Sequence, residues 1–465
     1  MREGRRWFAP LAWVNGAWAR DVLLVAGDDG RWSEVRAGCT AQERQDAQAL
    51  AGPALPGLVN GHSHAFQRAI AGLTERSAQG REDFWSWRDR MYAAALRITP
   101  EQLEAIATFL YAELLQAGYT HVCEFHYLHN DVDGKPYADP LEMSLALVRA
   151  AQAAGIGLTL LPTLYMRSGF GAKGLREDQR RFASTPASVL RIAEAVRKLA
   201  PADGTLTAGI ALHSLRAVDP GALQEAAQAA HAAGMPVHIH ISEQQQEVDD
   251  CLREHGQRPI EWLLQNAKLD ARWNLVHATH ASREEMDALQ RTGASIVLCP
   301  STEANLGDGV FDLPHWLALR GAWSIGSDSH VTRRWTEELR LLEYSQRFAL
   351  RQRNVSARAA GQESTAGVLF ERALAGGSAA AGLPLAGLAA GQRADFSVVD
   401  TTAYALAGVP SSHLLDALVF SSPDAGCGAM AVGGASPSLT VEAAQFVKAM
   451  HALWLSHGRM HVSIK

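Results

Sequence analysis

Lysine is scarce in this 465-residue chain. Only Lys135, Lys173, Lys198, Lys268, Lys448 and Lys465 occur among its 43 basic residues, the rest being arginine. No tract of five or more basic residues is present and the formal net charge is −6, so there is no cationic field for a nucleic-acid backbone and no such partner is expected. Cysteine is sparse too. Cys39, Cys123, Cys251, Cys299 and Cys427 form an odd, scattered set without a C-x-x-C pair, which argues against a disulfide framework and a thiolate zinc site and fits a reducing cytoplasm. Nothing approaches the ~18 uninterrupted apolar residues of a membrane span. The opening segment, basic residues up to Arg6 followed by WFAPLAWVNGAWA, superficially imitates an export signal, but Pro10, Asn15 and Gly16 interrupt it too early.

What the chain does have is 47% apolar and 20% charged residues, ample for a large core in an ordinary soluble globular protein. At ~150 residues per domain the length allows three domains, but one α/β barrel absorbs 250 or more, leaving a single smaller companion. Residues 7–52 show short apolar runs cut by turn residues, with Asp28-Asp29-Gly30 placed as a hairpin loop. After Pro56, strands alternate with Ala/Leu/Glu-rich helices, the texture of βαβ units. Eight strands are expected, near 57–61, 120–125, 156–162, 205–212, 236–241, 273–278, 295–299 and 323–327. A helix is signalled over 100–117 by Thr99 as N-cap, Pro100 at the first helical position, Gln102 completing a capping box and Gly118 at the stop. FERALAGGSAAAGL reads as a helix running into a loop. Past about residue 385, GLAAGQRADFSVVD and LLDALVFSS read as loops and short strands. The expected fold is an α/β, TIM-like (β/α)₈ barrel over 56–370, with a small β-sandwich domain built from both ends, residues 1–55 and 371–465.

Catalytic groups in such a barrel come from the carboxyl ends of its strands. Strand 1 ends in Gly61-His62-Ser63-His64, and the two-residue strand period puts both imidazoles on one side. Strand 5 ends in His238-Ile239-His240-Ile241-Ser242-Glu243, strand 6 in His277 and strand 8 in Gly326-Ser327-Asp328. Each alone has an ordinary reading: a strand-end histidine is commonly structural, and Asp328 could cap the next helix. Together, three histidines and an aspartate from strands 1, 5 and 8 make a nitrogen-rich, partly anionic site suited to Zn²⁺ with room for a water. His238 shares the side of His240 and is placed behind the ligands. Glu124, His126 and His129 read as a satisfied polar loop.

These motifs resemble the amidohydrolase superfamily, with H-x-H on strand 1, His on strands 5 and 6, and Asp on strand 8. The resemblance spans the whole chain and implies His62, His64, His240 and Asp328 as metal ligands and His277 beside the attacking water. Binuclear members bridge two metals with a carboxylated lysine on strand 4; LTAGIALHSL has no lysine, so one zinc per subunit is expected. The spacing His240-x-x-Glu243 is similar to the deaminase branch, where that glutamate shuttles protons. A carboxylate beside an acidified water can take its proton and deliver it to a departing nitrogen, which leaves poorly until protonated. Glu243, His277 and Asp328 are thus the expected catalytic residues.

A finer resemblance, to the formimidoylglutamate deiminase family, runs through GHSHAFQRAIAGLTE, WSWRDRMY, EFHYLHND, LHSLRAV, HIHISEQQQEV and SIGSDSHV. It implies Gln67, Arg88, Tyr127, His213 and Arg216 as substrate contacts, a small dicarboxylate substrate, ammonia release and a homodimer. Arg88 and Arg216 have the chemistry for this, since each guanidinium can hold a carboxylate through two hydrogen bonds. Trp85, Trp87 and Tyr92 would pack a lid or simply the core. The rival reading is another mononuclear deaminase acting on a purine-like heterocycle, which would favour stacking faces over an arginine pair. An inactive structural barrel would be expected to have lost ligands, and none is missing.

Overall fold

A computed structural model describes residues 5–76, 83–422, 425–437 and 443–454; Met1–Gly4, at the head of the signal-like segment, lie outside the described residues. Eight parallel strands form the barrel: Leu58–Ser63, Tyr119–His126, Gly157–Leu164, Ile210–Ser214, Val237–Ile241, Trp273–His277, Ser295–Leu298 and Ala322–Ile325. They pair in sequence order, and a short extra strand, Leu206–Ala208, lies against the third. Every strand but the last is buried throughout, so each reads as a near-continuous apolar run rather than an alternation. The barrel closes at its carboxyl end through a parallel bridge between Ser63 and Asp328. There the Asp328 N–H donates to the His62 carbonyl (3.0 Å) and the His64 N–H to the Asp328 carbonyl (3.3 Å). Only glycine fits at 326, because a Cβ would sit 2.6 Å from that of His62.

The opposite end is stoppered by the helix Thr365–Ala381, which runs across the domain boundary expected at 370/371. A Cβ at Gly376 would lie 1.8 Å from the Trp323 carbonyl oxygen, so glycine lets this helix press onto the strand backbone. The helix Pro100–Gln116 forms as the sequence predicts. Thr99 Oγ1 accepts the Gln102 N–H (3.3 Å) and Gln102 Oε1 accepts the Thr99 N–H (3.0 Å).

Both ends of the chain build a separate mixed sheet. Its order is Cys427–Ala431, Phe396–Val399, Ala54–Pro56, Arg6–Val14, Ala17–Ala26 and Trp32–Arg36, with Gln48–Ala49 parallel to Arg6–Val14. Asn15 and Gly16, which the sequence marks as interruptions, form a two-residue hairpin turn with φ of 51° and 78°. Trp7, Trp32 and Phe396 fill the sheet's own core, with centroids 5.2–6.0 Å apart. One expectation fails here: LLDALVFSS contains a helix, Leu414–Phe420. Leu414, Leu415, Leu418 and Val419 recur at helical spacing and are all buried. Asp416 caps the Thr365–Ala381 helix, accepting from Ser364 Oγ and the Ala366 N–H.

Sheet and barrel are joined by a buried ion pair. Arg393 donates to Asp395 (2.6 and 2.9 Å), to the carbonyls of Gly204 and Thr120, and to His121 Nδ1. Asp395 also accepts the Gly433 N–H. Removing one partner of such a pair strands a buried charge at a cost of about 3–5 kcal/mol. Arg393→Met is therefore expected to lower the thermal unfolding midpoint measured by calorimetry; an unchanged midpoint would show that the pair does not hold the sheet in place.

Candidate active site

The strand ends converge on one point. His62 Nε2 lies 3.1 Å from His64 Nε2 and 3.0 Å from His240 Nε2, and Asp328 Oδ1 lies 3.6 and 3.4 Å from His62 and His64. Burial pushes His62 and His240 well below the usual imidazole range and His64 down to about 3, so all three rings are neutral. The His64 Nδ1–H donates to the Phe125 carbonyl at 2.8 Å, which leaves Nε2 as a bare lone pair. Neutral nitrogens with converging lone pairs have no proton between them to share. Their separations are near the roughly 3.4 Å edge of a tetrahedron of zinc-ligand radius. This donor set, with a tautomer fixed from behind, fits a metal ion.

His277 and Glu243 stand beside the four donors. His277 Nε2 is 3.7 Å from both Glu243 Oε1 and Asp328 Oδ2. Burial pushes Asp328 up to about 7. Burial also opposes charge on His277, but Glu243, the hydrogen bond that His277 donates to Glu303, and Asp328 outweigh it and hold the ring at about 10. The backbone here is strained: Ser242, His277, Ala278, Asp328 and His330 all have φ between 47° and 72°. Such conformations persist only where the surroundings over-determine them.

Above the donors a cavity is lined by His64, Gln67, Arg88, Tyr127, His213, Arg216, Glu243, His277 and Asp328, together with Phe84, Trp87 and Tyr92. Arg88 sits on the helix Phe84–Ala95, which Asp83 caps by accepting the Trp85 and Ser86 N–H groups (3.0 and 3.2 Å). Arg216 follows the fourth strand and is buried. The Nε of each arginine is buried without a hydrogen-bond partner. Gln67 donates to the Tyr127 hydroxyl (3.1 Å), and its own carbonyl oxygen is unpartnered. His213 packs on Tyr165 with centroids 4.1 Å apart.

The amidohydrolase family model matches residues 54–434. The chain belongs to the amidohydrolase family. It is 48% identical over 417 residues to the formimidoylglutamate deiminase of Pseudomonas aeruginosa, covering 90% of this chain and 91% of that one. A crystal structure of an amidohydrolase from Brucella melitensis superposes with a TM-score of 0.89 at 42% identity, covering 97% of this chain and 99% of that one. An adenosine deaminase from Xanthomonas campestris with bound zinc reaches a TM-score of 0.75 at 19% identity, covering 97% of each chain, and shares the fold.

All the residues expected at the amidohydrolase site from its sequence meet around this cavity. His238 does not: its Nε2 faces the Ala380 carbonyl (2.9 Å) on the helix that stoppers the far end. Glu124 is buried and pushed up to about 7; it accepts from Ser63 Oγ and the Ala65 N–H (both 2.6 Å) and from Tyr111 (3.2 Å), anchoring the turn that carries His64 and Gln67. His129 bonds the Thr163 carbonyl, and His126 Nε2 has no partner. Two buried glutamates escaped the sequence reading. Glu303 touches His277, and Glu247 accepts the Glu243 N–H (3.2 Å) with its second oxygen unpartnered. Both lie in the first turn of a helix, where an acid ordinarily complements the helix dipole in water.

The donor geometry predicts that His240→Ala reduces bound metal from about one equivalent per chain to a small fraction, whereas Glu243→Gln retains it. Elemental analysis after exhaustive dialysis reads both, and full metal retention in the His240 variant would show that these side chains do not share an ion.

Proposed function

We propose that this protein hydrolyses N-formimidoyl-L-glutamate to N-formyl-L-glutamate and ammonia, using one zinc ion per chain held by His62, His64, His240 and Asp328. The observation that carries the reading is the pair of arginines facing the donor cluster with unmet N–H groups. Two guanidinium cations at one cavity, each with an enclosed and unpartnered Nε, accord with two anionic groups on the ligand. The 48% identity to the Pseudomonas aeruginosa deiminase supports the same substrate.

Zinc in that site supplies Lewis-acid activation of the attacking water. Arg88 and Arg216 grip the two carboxylates, while Gln67, Tyr127 and His213 orient the formimidoyl group over the donor cluster. Holding the imine carbon in attack geometry removes most of the entropic cost of bringing water and substrate together. Glu243 takes a proton from the attacking water and passes it to the imine nitrogen; as the tetrahedral carbon collapses to the formyl group it relays the remaining hydroxyl proton to the same nitrogen, which departs as ammonia. His277 donates from Nε2 to the oxygen that gains charge as the carbon becomes tetrahedral. The cavity as it stands measures about 40 Å³, room for a few waters. Arg88, Phe84 and Trp87 on the Phe84–Ala95 helix form one wall of it. The assembly proposed is a homodimer in the cytoplasm; five free, buried cysteines accord with a reducing compartment.

A purine deaminase is the competing reading, and the aromatic faces speak against it. The Arg88 guanidinium covers Trp85 at 4.5 Å and Tyr92 at 5.4 Å, and that of Arg216 lies 5.8 Å over both Phe84 and Trp85. A planar base would have to displace both cations to stack there.

Ammonia release is expected from formimidoylglutamate and not from a panel of purines; turnover of the purines alone would overturn the assignment. Arg216→Met should raise KM for the dicarboxylate about 10- to 100-fold, with kcat within a few-fold, because charge-assisted hydrogen bonds to the ligand's non-reacting end are lost. Steady-state kinetics checks this, and an unchanged KM would remove Arg216 from the clamp.

A further inference from the structure

His277 adopts a backbone conformation that a strand does not favour, with φ of 72°, and the ring it carries is fully enclosed. Something besides strand geometry must therefore aim it. Behind the ring, on the side away from the donor cluster, lies Glu303 in the helix Pro300–Leu306 that follows the seventh strand. Glu303 Oε1 is 3.3 Å from His277 Nδ1 and accepts the Cys299 N–H at 2.8 Å. The carboxylate is thus pinned by the strand-end backbone and in turn holds the imidazole. The His277 Nε2 on the opposite edge is the atom that stands 3.7 Å from Glu243 and from Asp328.

We propose that Glu303 is a positioning residue for His277: by accepting the Nδ1–H it fixes the ring plane, so that Nε2 faces Glu243 and Asp328. The proposal deepens the hydrolytic reading above and rests on it for its kinetic arm. A carboxylate behind a working histidine does the same in other enzymes, where it orients the ring without itself exchanging protons with the substrate. His277, Cys299 and Glu303 also lie close enough together to hold a metal ion of their own. Hydrogen bonding accounts for the contact better, because Glu303 Oε1 is already engaged by a backbone N–H and a ring N–H, and burial holds the Cys299 thiol well above its ordinary range, protonated.

Two variants of the zinc-loaded protein test this. Glu303→Ala should lower kcat for formimidoylglutamate about 10- to 100-fold, the usual effect of losing such a partner, with KM within about twofold and zinc content unchanged. Glu303→Gln, whose carbonyl oxygen can still accept one N–H, should recover part of that loss. Independently of any substrate, ¹⁵N spectra of histidine-labelled protein, with the His277 signals assigned by their absence in His277→Asn, should show an Nδ1–H resonance shifted by its hydrogen bond in the wild type and that shift lost in the Glu303→Ala ring. If that variant does not fold, the Gln variant carries both readouts, and its kcat should lie between wild type and one-hundredth of it. An unaltered kcat, a loss concentrated in KM, the departure of one metal equivalent, or an unmoved Nδ1 resonance would each overturn the proposal. Should wild-type protein leave formimidoylglutamate untouched, the substrate reading fails while the ¹⁵N arm still decides the role of Glu303.

Discussion

The seam between the first and last barrel strands is the constraint on which the rest depends. Two backbone-to-backbone hydrogen bonds close it, beside the Asn60–Ser327 pair, and both involve residues that also present donors: Asp328 to His62, and His64 to Asp328. Closing the barrel and gathering the donor set are thus one structural event. That explains why glycine stands at 326, where the two backbones approach too closely for any side chain. It also explains the strained backbone at Asp328. The residue must pair through its main chain with His62 and His64 while turning its carboxylate toward the rings of the same two residues, and ordinary strand geometry does not satisfy both.

Burial then sets the charge balance. Neutral imidazoles accumulate on one side of the cavity, and carboxyl groups crowd the other. Burial pushes Asp328 and Glu247 up to about 7 and Asp308 to about 9. Groups of like charge confined in a dry site are costly unless countercharges enter with them. Arg216 supplies one within the chain, and the donor set is shaped for a cation that supplies more.

The strand ends were the legible part of the sequence because two simple periods govern them. A buried parallel strand shows as a short apolar run, and the polar residues at its end are candidates for the barrel mouth; His62, His64, His240, His277 and Asp328 lie at such ends, and the family resemblance picked them out from neighbours such as His238 and Ser327. The arginines were legible only through longer motifs, since a lone arginine in a loop carries no positional signal. Glu303 and Glu247 were not legible, because first-turn acids are common on solvated helices and nothing local distinguishes a buried one. His238 misled for a related reason: strand alternation gives the side on which a ring lies, not the end of the barrel it faces. LLDALVF misled because a seven-residue apolar run is too short for period alone to separate helix from strand.

The two arginines stand on different elements, and the way those elements are held shapes recognition on the proposed reading. Arg216 follows a barrel strand and has almost no freedom. Arg88 rides on a helix whose carboxyl-terminal end is tethered by a second buried arginine, Arg181, which donates to the carbonyls of Ala95, Ile98 and Asn130 and has no carboxylate partner among its hydrogen bonds. The middle of the helix is held as well: Arg90 donates to the Thr74 carbonyl (2.7 Å) and Asp89 accepts from Arg176 (3.2 Å). On the proposed reading both cations are thus set in place before the ligand arrives, and a shorter or singly charged compound would leave one of them unpaired. The penalty for that unpaired charge, rather than extra attraction for the right ligand, is what makes such a clamp selective.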